Sequence, residues 1–160
     1  MVWALRVQLL SVGKSGAGDA FLPLVQLYQS RLSCTVLELP PAAQQASDPE
    51  KRMGVEGERL LAKCGARADG YRRLVLDERG VNLSSPALAK LLLAWQDEGA
   101  RGVDVLIGGD QGLSPAVRDS ADQLWALGAA TWPHKLVRVM VLEQLYRARQ
   151  IILGHPYHHG

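Results

Sequence analysis

The amino-acid sequence predicts an α/β protein with a mostly parallel sheet and helices on both faces. Short apolar runs alternate along the chain with longer stretches that carry helix-start signals. No tight hairpin turn joins neighbouring apolar runs, and the spacers are long enough to cross between parallel strands. This alternation is typical of parallel sheets covered by helices. A length of 160 residues and a hydrophobic content of 48% fit a single domain over residues 1–160.

Four apolar runs are the predicted strands, and they cover residues 3–10, 35–39, 74–77 and 103–107. Helices are predicted over residues 19–31, 49–64, 86–97, 115–125 and 134–153. Three of these helices begin with a capping side chain followed by a proline, whose missing N–H is not needed in the first turn. The three pairs are Asp48-Pro49, Ser85-Pro86 and Ser114-Pro115. The polar segment 40–49 is predicted to be a mobile loop.

The last predicted helix is unusually apolar. Four consecutive apolar residues, 139–142, cover every side of a helical turn, so this helix must be buried on several sides. Charged residues interrupt it, which argues against a membrane span. Two interpretations remain open: part of its surface meets a second copy of the chain, or it is a central helix within one monomer. Gly154 is well suited to end it.

The net charge of +2 is low for a protein that binds naked nucleic acid by charge alone. An RNA role therefore requires a local basic patch, and the last helix is the candidate for it. The basic residues of that helix are Lys135, Arg138, Arg147 and Arg149. The alternative is a solvated helix face followed by a frayed tail. No targeting segment is recognisable at the start, so we expect a cytoplasmic protein that does not contact a membrane.

Cys34 and Cys64 lie in apolar segments and lack the spacing of metal ligands, which predicts buried thiols and no metal site. Gly13-Lys14-Ser15 resembles the end of a phosphate-binding loop. The glycine that such a loop requires five positions before Gly13 is Gln8, so this interpretation is rejected. Lys14 remains a candidate RNA contact.

Two segments rich in small residues each precede a predicted helix. The segment 107–115 contains Gly108, Gly109 and Gly112, and the segment 127–134 contains Gly128. Glycines let the backbone approach a ligand at the carboxyl ends of parallel strands, where open sheets place their sites. The two segments are predicted to line one cavity that grips an adenosine through main-chain groups. The alternative for the first segment is a tight strand-to-helix turn without a ligand.

The chain ends in His155-Pro156-Tyr157-His158-His159. A disordered end is one interpretation, because termini are often mobile. A rigid Pro-Tyr pair beside three histidines is nevertheless an unusual composition for a tail, and it makes a functional role the second interpretation.

Several motifs in a fixed order resemble one known family. They are 76–80 (LDERG), 107–109 with 112–114 (IGG and GLS), 131–134 (TWPH), 136–139 (LVRV), 143–148 (EQLYRA) and 155–158 (HPYH). The chain is similar over its whole length to the pseudouridine N3-methyltransferases of large-subunit ribosomal RNA, which belong to the SPOUT superfamily. The resemblance is densest after residue 100.

The resemblance implies a trefoil knot at the carboxyl end of a parallel sheet, and a homodimer that holds S-adenosylmethionine in the knot near the subunit interface. It implies cofactor contacts from Leu76, Gly108, Gly109 and the loop 127–132. The residues of that loop are Leu127, Gly128, Ala129, Ala130, Thr131 and Trp132. The family loop is often rich in serine, whereas this chain has Gly-Ala-Ala at 128–130, so we expect backbone contacts there.

The implied substrate is large-subunit ribosomal RNA, and the low net charge favours the assembled large subunit or whole ribosome over free RNA. His158 is the candidate base for the proton on the acceptor nitrogen, and Arg138 the candidate stabiliser of the resulting anion. His155 and Tyr157 are candidates for positioning the base or an RNA phosphate. Two other classes remain open: another nucleotide-binding α/β enzyme, and a noncatalytic dimeric ribosome-binding protein.

Overall fold

The computed structural model describes residues 2–43 and 48–158, without the side chain of His158. Its five strands are β1 (Arg6–Val12), β2 (Thr35–Leu39), β3 (Tyr71–Asn82), β4 (Gly102–Ile107) and β5 (Gln123–Ala126). All strand pairs in the sheet are parallel, in the order β2-β1-β4-β3-β5. The predicted parallel sheet is therefore confirmed. The predicted mobility of segment 40–49 concerns residues that include 44–47, which lie outside the described ranges.

Five helices cover the sheet: α1 (Leu22–Leu32), α2 (Pro49–Lys63), α3 (Ser85–Asp97), α4 (Pro115–Asp119) and α5 (His134–Leu153). Helices α1, α3 and α5 pack on one face, and α2 and α4 pack on the other. Successive strand residues point to opposite faces, so Leu9 and Leu74 belong to the core beneath α5 whereas Leu10 and Val75 belong to the core beneath α2. Every residue of the central strand β4 is buried.

The strand β5 was missed by the sequence prediction, which placed a helix over 115–125. Helix α4 ends at Asp119, and the Ser120 hydroxyl donates to the carbonyl oxygen of Val117 (2.7 Å). Asp122 then accepts hydrogen bonds from the Arg67 guanidinium (2.7 Å) and the backbone N–H of Arg73 (2.7 Å). These contacts join residues about 50 positions apart and fix the start of β5 beside β3, so no local pattern could reveal them.

Two of the three predicted helix caps are confirmed. Asp48 accepts from the backbone N–H of Glu50 (3.0 Å), and Ser114 accepts from that of Val117 (3.4 Å). The predicted cap Ser85 is wrong, because Ser84 accepts from the N–H of the third helical residue, Ala87 (3.2 Å). Ser85 is instead the first helical residue, and its hydroxyl donates to Gln144 on α5 (2.6 Å).

Helix α5 is buried or half-buried along its whole length and ends at Gly154, which has a left-handed φ of 71°. Hydrogen bonds from Gly154 and His155 to carbonyl oxygens of the last turn complete this end. Within residues 2–43 and 48–158, no helix has both the length and the apolar character that a membrane crossing needs. The knot implied by the resemblance stays a prediction.

Candidate cofactor site

A cavity of about 1010 Å³ lies at the carboxyl edge of the sheet, against residues 76–79 of β3 and the loops that follow β4 and β5. All the residues predicted to contact the cofactor line it. They are Leu76, Gly108, Gly109, Leu127, Gly128, Ala129, Ala130, Thr131 and Trp132. The carboxyl ends of parallel strands meet at one edge, which is why segments far apart in the sequence form one wall.

The loop after β4 is a tight glycine turn. The N–H of Gly112 donates to the carbonyl oxygen of Gly109 (3.0 Å), and Gly112 has a left-handed φ of 83°. A Cβ on Gly108 would lie 2.9 Å from both the carbonyl carbon of Gly112 and Cγ of Leu113. Any side chain at Gly108 would therefore displace the turn, whose backbone forms part of the cavity wall.

The loop after β5 is held by two side chains. The amide oxygen of Asn82, at the end of β3, accepts from the N–H of Gly128 (3.0 Å). The indole N–H of Trp132 donates to the carbonyl oxygen of Leu127 (2.8 Å), which closes the loop on itself. Gly128 has a left-handed φ of 84°. Asn82 was not predicted as a site residue, because its partner is 46 positions away in the sequence.

Between Leu76 and Val81 the pairing of β3 with β5 shifts register. The intervening residues Asp77, Glu78 and Arg79 line the cavity. A Cβ on Gly80 would lie 2.5 Å from the backbone nitrogen of Trp125, so this glycine lets β3 approach β5 closely. The segment brings acidic side chains to the cavity wall, and sequence reasoning gave it no role beyond Leu76.

Three loops meet at His134, the first residue of α5. Its Nδ1 lies 3.1 Å from the Asp110 carboxylate in the glycine turn. Its Nε2 would lie 3.5 Å from a Cβ on Gly13, a residue with a φ of 127° in the loop after β1. His134 therefore ties the loops after β1 and β4 to the helix that follows the last cavity loop.

Arg138 is only 3% exposed and lies in an ion cluster. Its guanidinium donates to Asp19 (2.9 Å), Glu38 (2.6 Å) and the Ser15 hydroxyl (2.9 Å). A hydrogen bond from the N–H of Phe21, together with Arg138, lowers the pKa of Asp19 despite its burial. Burial raises the pKa of Glu38, but hydrogen bonds from Ser15 and the charge of Arg138 outweigh it, so that pKa is also lowered.

The prediction of one basic surface along α5 is wrong. Arg138 is buried between two carboxylates, and Arg147 pairs with Glu143 one turn before it (2.7 Å). Lys135 lies 3.9 Å from Asp19, within reach of the same cluster. Arg149 points to the opposite edge of the sheet, where it lines a different cavity. Carboxylates thus neutralise Arg138 and Arg147, and Arg149 lies at the other edge of the sheet, so the four basic residues do not form one surface.

The described part of the tail folds back on α5 instead of fraying. His155 Nδ1 lies 2.6 Å from the amide oxygen of Gln150, and the Tyr157 ring packs edge-on against Tyr146 with centroids 4.7 Å apart. Burial, then the hydrogen bond with Tyr28 and the Glu143 carboxylate, raise the pKa of Tyr157 to about 12. Tyr157 is therefore protonated at neutral pH.

The predicted substrate residues form two separate groups within one chain. Arg138 faces β2 and the loop after β1, whereas Tyr157 and His155 lie against the last turns of α5. His158 belongs to a short 3-10 helix, Pro156–His158, and its side chain, like all of His159, lies outside the described residues.

The described ranges contain no group of three His, Cys, Asp or Glu side chains that could hold a metal ion. Both predicted buried cysteines, Cys34 and Cys64, are half-buried. Burial raises the pKa of each thiol to about 11, so neither is a thiolate at neutral pH.

Comparison with known proteins gives the class and then the family. A family model described as "Predicted SPOUT methyltransferase" matches residues 5–158. A protein of Cereibacter sphaeroides named ribosomal RNA large subunit methyltransferase H is 45% identical over 157 residues, covering 96% of this chain and 99% of its own length. A protein of the same name from Hyphomonas neptunium is 44% identical over 158 residues, with the same coverage.

Two solved structures share the fold. A probable methyltransferase from Bordetella pertussis has a TM-score of 0.59 at 15% identity, covering 91% of this chain and 95% of its own. A putative methyltransferase from Legionella pneumophila, solved with bound S-adenosylmethionine, has a TM-score of 0.53 at 11% identity, covering 91% and 66%. The solved structures share the fold, whereas the family model and the relatives at 44–45% identity give the class, a methyltransferase. The chain belongs to the SPOUT methyltransferase family.

Proposed function

We propose that this protein transfers a methyl group from S-adenosylmethionine to N3 of a pseudouridine in large-subunit ribosomal RNA. The observation that carries the proposal is the identity of about 45% to the Cereibacter sphaeroides relative over almost the full length of both chains. The convergence of all the predicted cofactor residues on one cavity also supports it. The cytoplasm, where ribosomes work, is the proposed location.

The residues present fit this cofactor. The cavity of about 1010 Å³ is large enough for a nucleoside with an amino-acid tail. Backbone groups of Gly108, Gly109 and residues 127–131 would hold the adenosine part, and Leu76 and Leu127 would give it apolar walls. When bound, S-adenosylmethionine supplies an activated methyl group on a sulfonium centre. The role of the cavity is to align that group with the acceptor nitrogen.

The acceptor nitrogen carries a proton that has to leave before or during transfer. His158 is the proposed base, because an imidazole titrates near neutral pH. Tyr157 cannot take this role, since its pKa is about 12 and its hydroxyl already donates to Glu143 (3.4 Å). Tyr157 and His155 are proposed to shape the tail that carries His158 toward the RNA.

Arg138 is proposed to act as a positioning residue. Its charge is already balanced by Asp19 and Glu38, which leaves little of it for a reacting anion. The Arg138 guanidinium instead holds the loop after β1 against α5 through Ser15 and Asp19. Arg138 lies four residues after His134 on this helix. The loop after β1 carries Lys14, which is exposed and stays the candidate RNA contact at this edge.

A homodimer is the proposed assembly. An apolar cavity of about 490 Å³ lies between α1 and α5 and shares Trp125 to Gly128 with the cofactor cavity. On α1, Leu24 and Leu27 leave 44% and 42% of their surface exposed, which is the kind of patch that a second copy covers. Light scattering should give a dimer. Leu24→Glu should give a monomer, and Val55→Glu, a matched exposed residue on α2, should not.

The substrate is proposed to be the assembled large subunit or whole ribosome. A net charge of +2 and the absence of a continuous basic surface among the described residues of α5 predict weak binding to free RNA. Purified ribosomes should be methylated far faster than a short naked hairpin of the same sequence. Equal rates on the two substrates would contradict this part of the proposal.

The experiment that tests the function is mass analysis of ribosomal RNA from a strain that lacks the gene. One nucleoside of the large-subunit RNA should lose one methyl group, and the chain supplied in trans should restore it. A Gly108→Ala chain should fail to restore it, and Gly18→Ala, where an added Cβ meets nothing within 4 Å, should succeed. Unchanged RNA in the deletion strain would overturn the proposed activity and favour a noncatalytic ribosome-binding role.

A further inference from the structure

A second cavity, of about 560 Å³, lies at the amino edge of the sheet, opposite the cofactor cavity. It is formed where β1 and β3 begin, where α1 gives way to β2, and where α5 nears its end. The side chains that matter here are Arg6, Arg149, Ser33, Thr35 and Tyr71. We call this the amino-edge pocket. No predicted site residue lines it, although Arg149 was part of the expected basic surface.

The amino-edge pocket is positively charged. Its lining contains Arg6 and Arg149 and no Asp or Glu. In the part of the chain that the structure describes, neither arginine forms an ion pair with a carboxylate. This contrasts with Arg138 and Arg147 on the same helix, which both pair with carboxylates. One N–H group of the Arg149 guanidinium donates to the carbonyl oxygen of Arg31 (2.9 Å). The Nε of Arg149 has no hydrogen-bond acceptor in the described structure.

The walls of the pocket are firmly held. The Tyr71 ring packs directly over the α-carbons of Gly65 and Gly102, where any side chain would collide with it. Ser33 ends α1 in the left-handed region, with a φ of 53°, and its N–H is bonded to the last turn of the helix. Ser33, Thr35 and Tyr71 also line the pocket, and their hydroxyl groups are neutral hydrogen-bond donors that could assist the two guanidinium groups. The pocket is therefore a preformed concave surface suited to anionic oxygens.

Its distance from the cofactor cavity limits what it can do. Strand β1 has seven residues, which span about 20 Å from Arg6 to the carboxyl edge. Along α5, the fifteen-residue step from His134 to Arg149 gives about the same separation. A group bound at the amino-edge pocket therefore cannot reach the methyl donor. A long polyanion that passes through the active site can reach both.

We propose that the amino-edge pocket binds phosphates of the RNA backbone and anchors the ribosomal RNA about 20 Å from the nucleotide that is methylated. The proposal rests on the proposed function, because it assumes an RNA substrate. Phosphate contacts fix the position of a protein on its RNA without reading the sequence. The amino-edge pocket would thus contribute to affinity for the substrate, while the carboxyl-edge cavity carries the chemistry.

The test uses Arg6→Gln and the double variant Arg6→Gln/Arg149→Gln, with Lys90→Gln as the control that removes one exposed charge from α3. The substrate is the purified large ribosomal subunit from a strain that lacks the gene. KM for the subunit should rise about threefold for the single variant and about tenfold for the double variant, with kcat unchanged. Arg6→Lys, which keeps the positive charge, should retain most of the wild-type affinity for the subunit.

A binding measurement identifies the ligand class. Anisotropy of a fluorescein-labelled oligouridine at several salt concentrations should show that the salt slope falls by about 0.7 for each arginine removed, and not for Lys90→Gln. Because Arg6 is exposed, its single variant tests the proposal even if the double variant is unstable. Arginine-dependent binding of polyglutamate as tight as that of RNA would overturn the proposal in favour of an acidic protein partner.

If the variants still bind S-adenosylmethionine and their KM and salt slope are unchanged, the proposed phosphate-binding role of the amino-edge pocket is overturned. The proposed function is then unaffected. A wild-type protein that neither binds S-adenosylmethionine nor methylates the subunit would instead overturn the proposed function. In that case the anisotropy measurement with oligouridine would still show whether the amino-edge pocket binds phosphates. The two failures can therefore be distinguished.

Discussion

The two edges of the sheet differ in how they could recognise a ligand. At the carboxyl edge, two loops rich in glycine and alanine line the cavity, and the glycine turn leaves no room for a Cβ on Gly108. At the amino edge, the lining includes Arg6 and Arg149, and neither pairs with a carboxylate among the described residues. Main-chain groups suit a small cofactor of fixed shape, whereas long cationic side chains suit a flexible polyanion.

The largest expected effect tests the carboxyl edge. In Gly108→Ala the added Cβ would lie 2.9 Å from backbone atoms of Gly112, so the turn has to move away from its present position. We expect methyl transfer to fall at least about 100-fold, because a shift of about 1 Å in an aligning wall has that effect. Radiolabelled methyl transfer to large subunits measures it.

The matched change Gly18→Ala adds the same methyl group in open space and should keep full activity. A Gly108→Ala enzyme that is equally active would mean that the glycine turn is not part of the cofactor site.

The next effect tests the ion cluster that pins the loop after β1. Arg138→Met removes the guanidinium and leaves Asp19 and Glu38 without their partner in a buried site. The free energy of unfolding should fall by about 3–5 kcal/mol, as it does when one partner of a buried ion pair is removed. Urea denaturation measures it. Lys135→Met, at 3.9 Å from Asp19 and 40% exposed, should cost less than about 1 kcal/mol.

The smallest effect contrasts the pH dependence of two buried carboxyls. The pKa of Asp19 is lowered in the folded protein, so its stabilising contribution is present above about pH 4 and is lost as the pH falls further. Asp104, in the central strand β4, has the opposite shift. Burial raises its pKa, although the N–H of Gly65 donates to it (2.7 Å), so it favours folding at low pH and loses that contribution as the pH rises above about 4.

Urea unfolding between about pH 3 and 7 should therefore show opposite changes in the two variants. Relative to the wild type, Asp19→Asn should lose its stability deficit as the pH falls. Asp104→Asn should instead have its smallest deficit near neutral pH. Parallel curves for the two variants would show that the carboxyls do not differ as described.

Whether a feature of this structure could be predicted from the sequence depends on how far apart in the chain the contacting residues lie. The two segments 107–115 and 127–134 could be predicted to share a cavity because their glycines and small residues leave a local signature, and the parallel topology brings both to one edge. Leu76 was implied only by the family resemblance. Strand β5 could not, because its start depends on Asp122 contacting Arg67 and Arg73 from elsewhere in the chain.

The environment of Arg138 was equally hidden. Its carboxylate partners, Asp19 and Glu38, lie 119 and 100 positions away in the sequence. No local pattern could therefore predict that its charge is neutralised. The same holds for the amino-edge pocket, whose two arginines belong to the first strand and the last helix.

The central claim is that the carboxyl-edge cavity is the S-adenosylmethionine site, and calorimetric titration tests it most directly. The wild-type protein should bind S-adenosylmethionine saturably and give no comparable heat with ATP. Gly108→Ala should lose this binding, while Arg6→Gln, at the other edge, should keep it. Absence of saturable S-adenosylmethionine binding by the wild type, or equally tight binding of ATP, would contradict the claim.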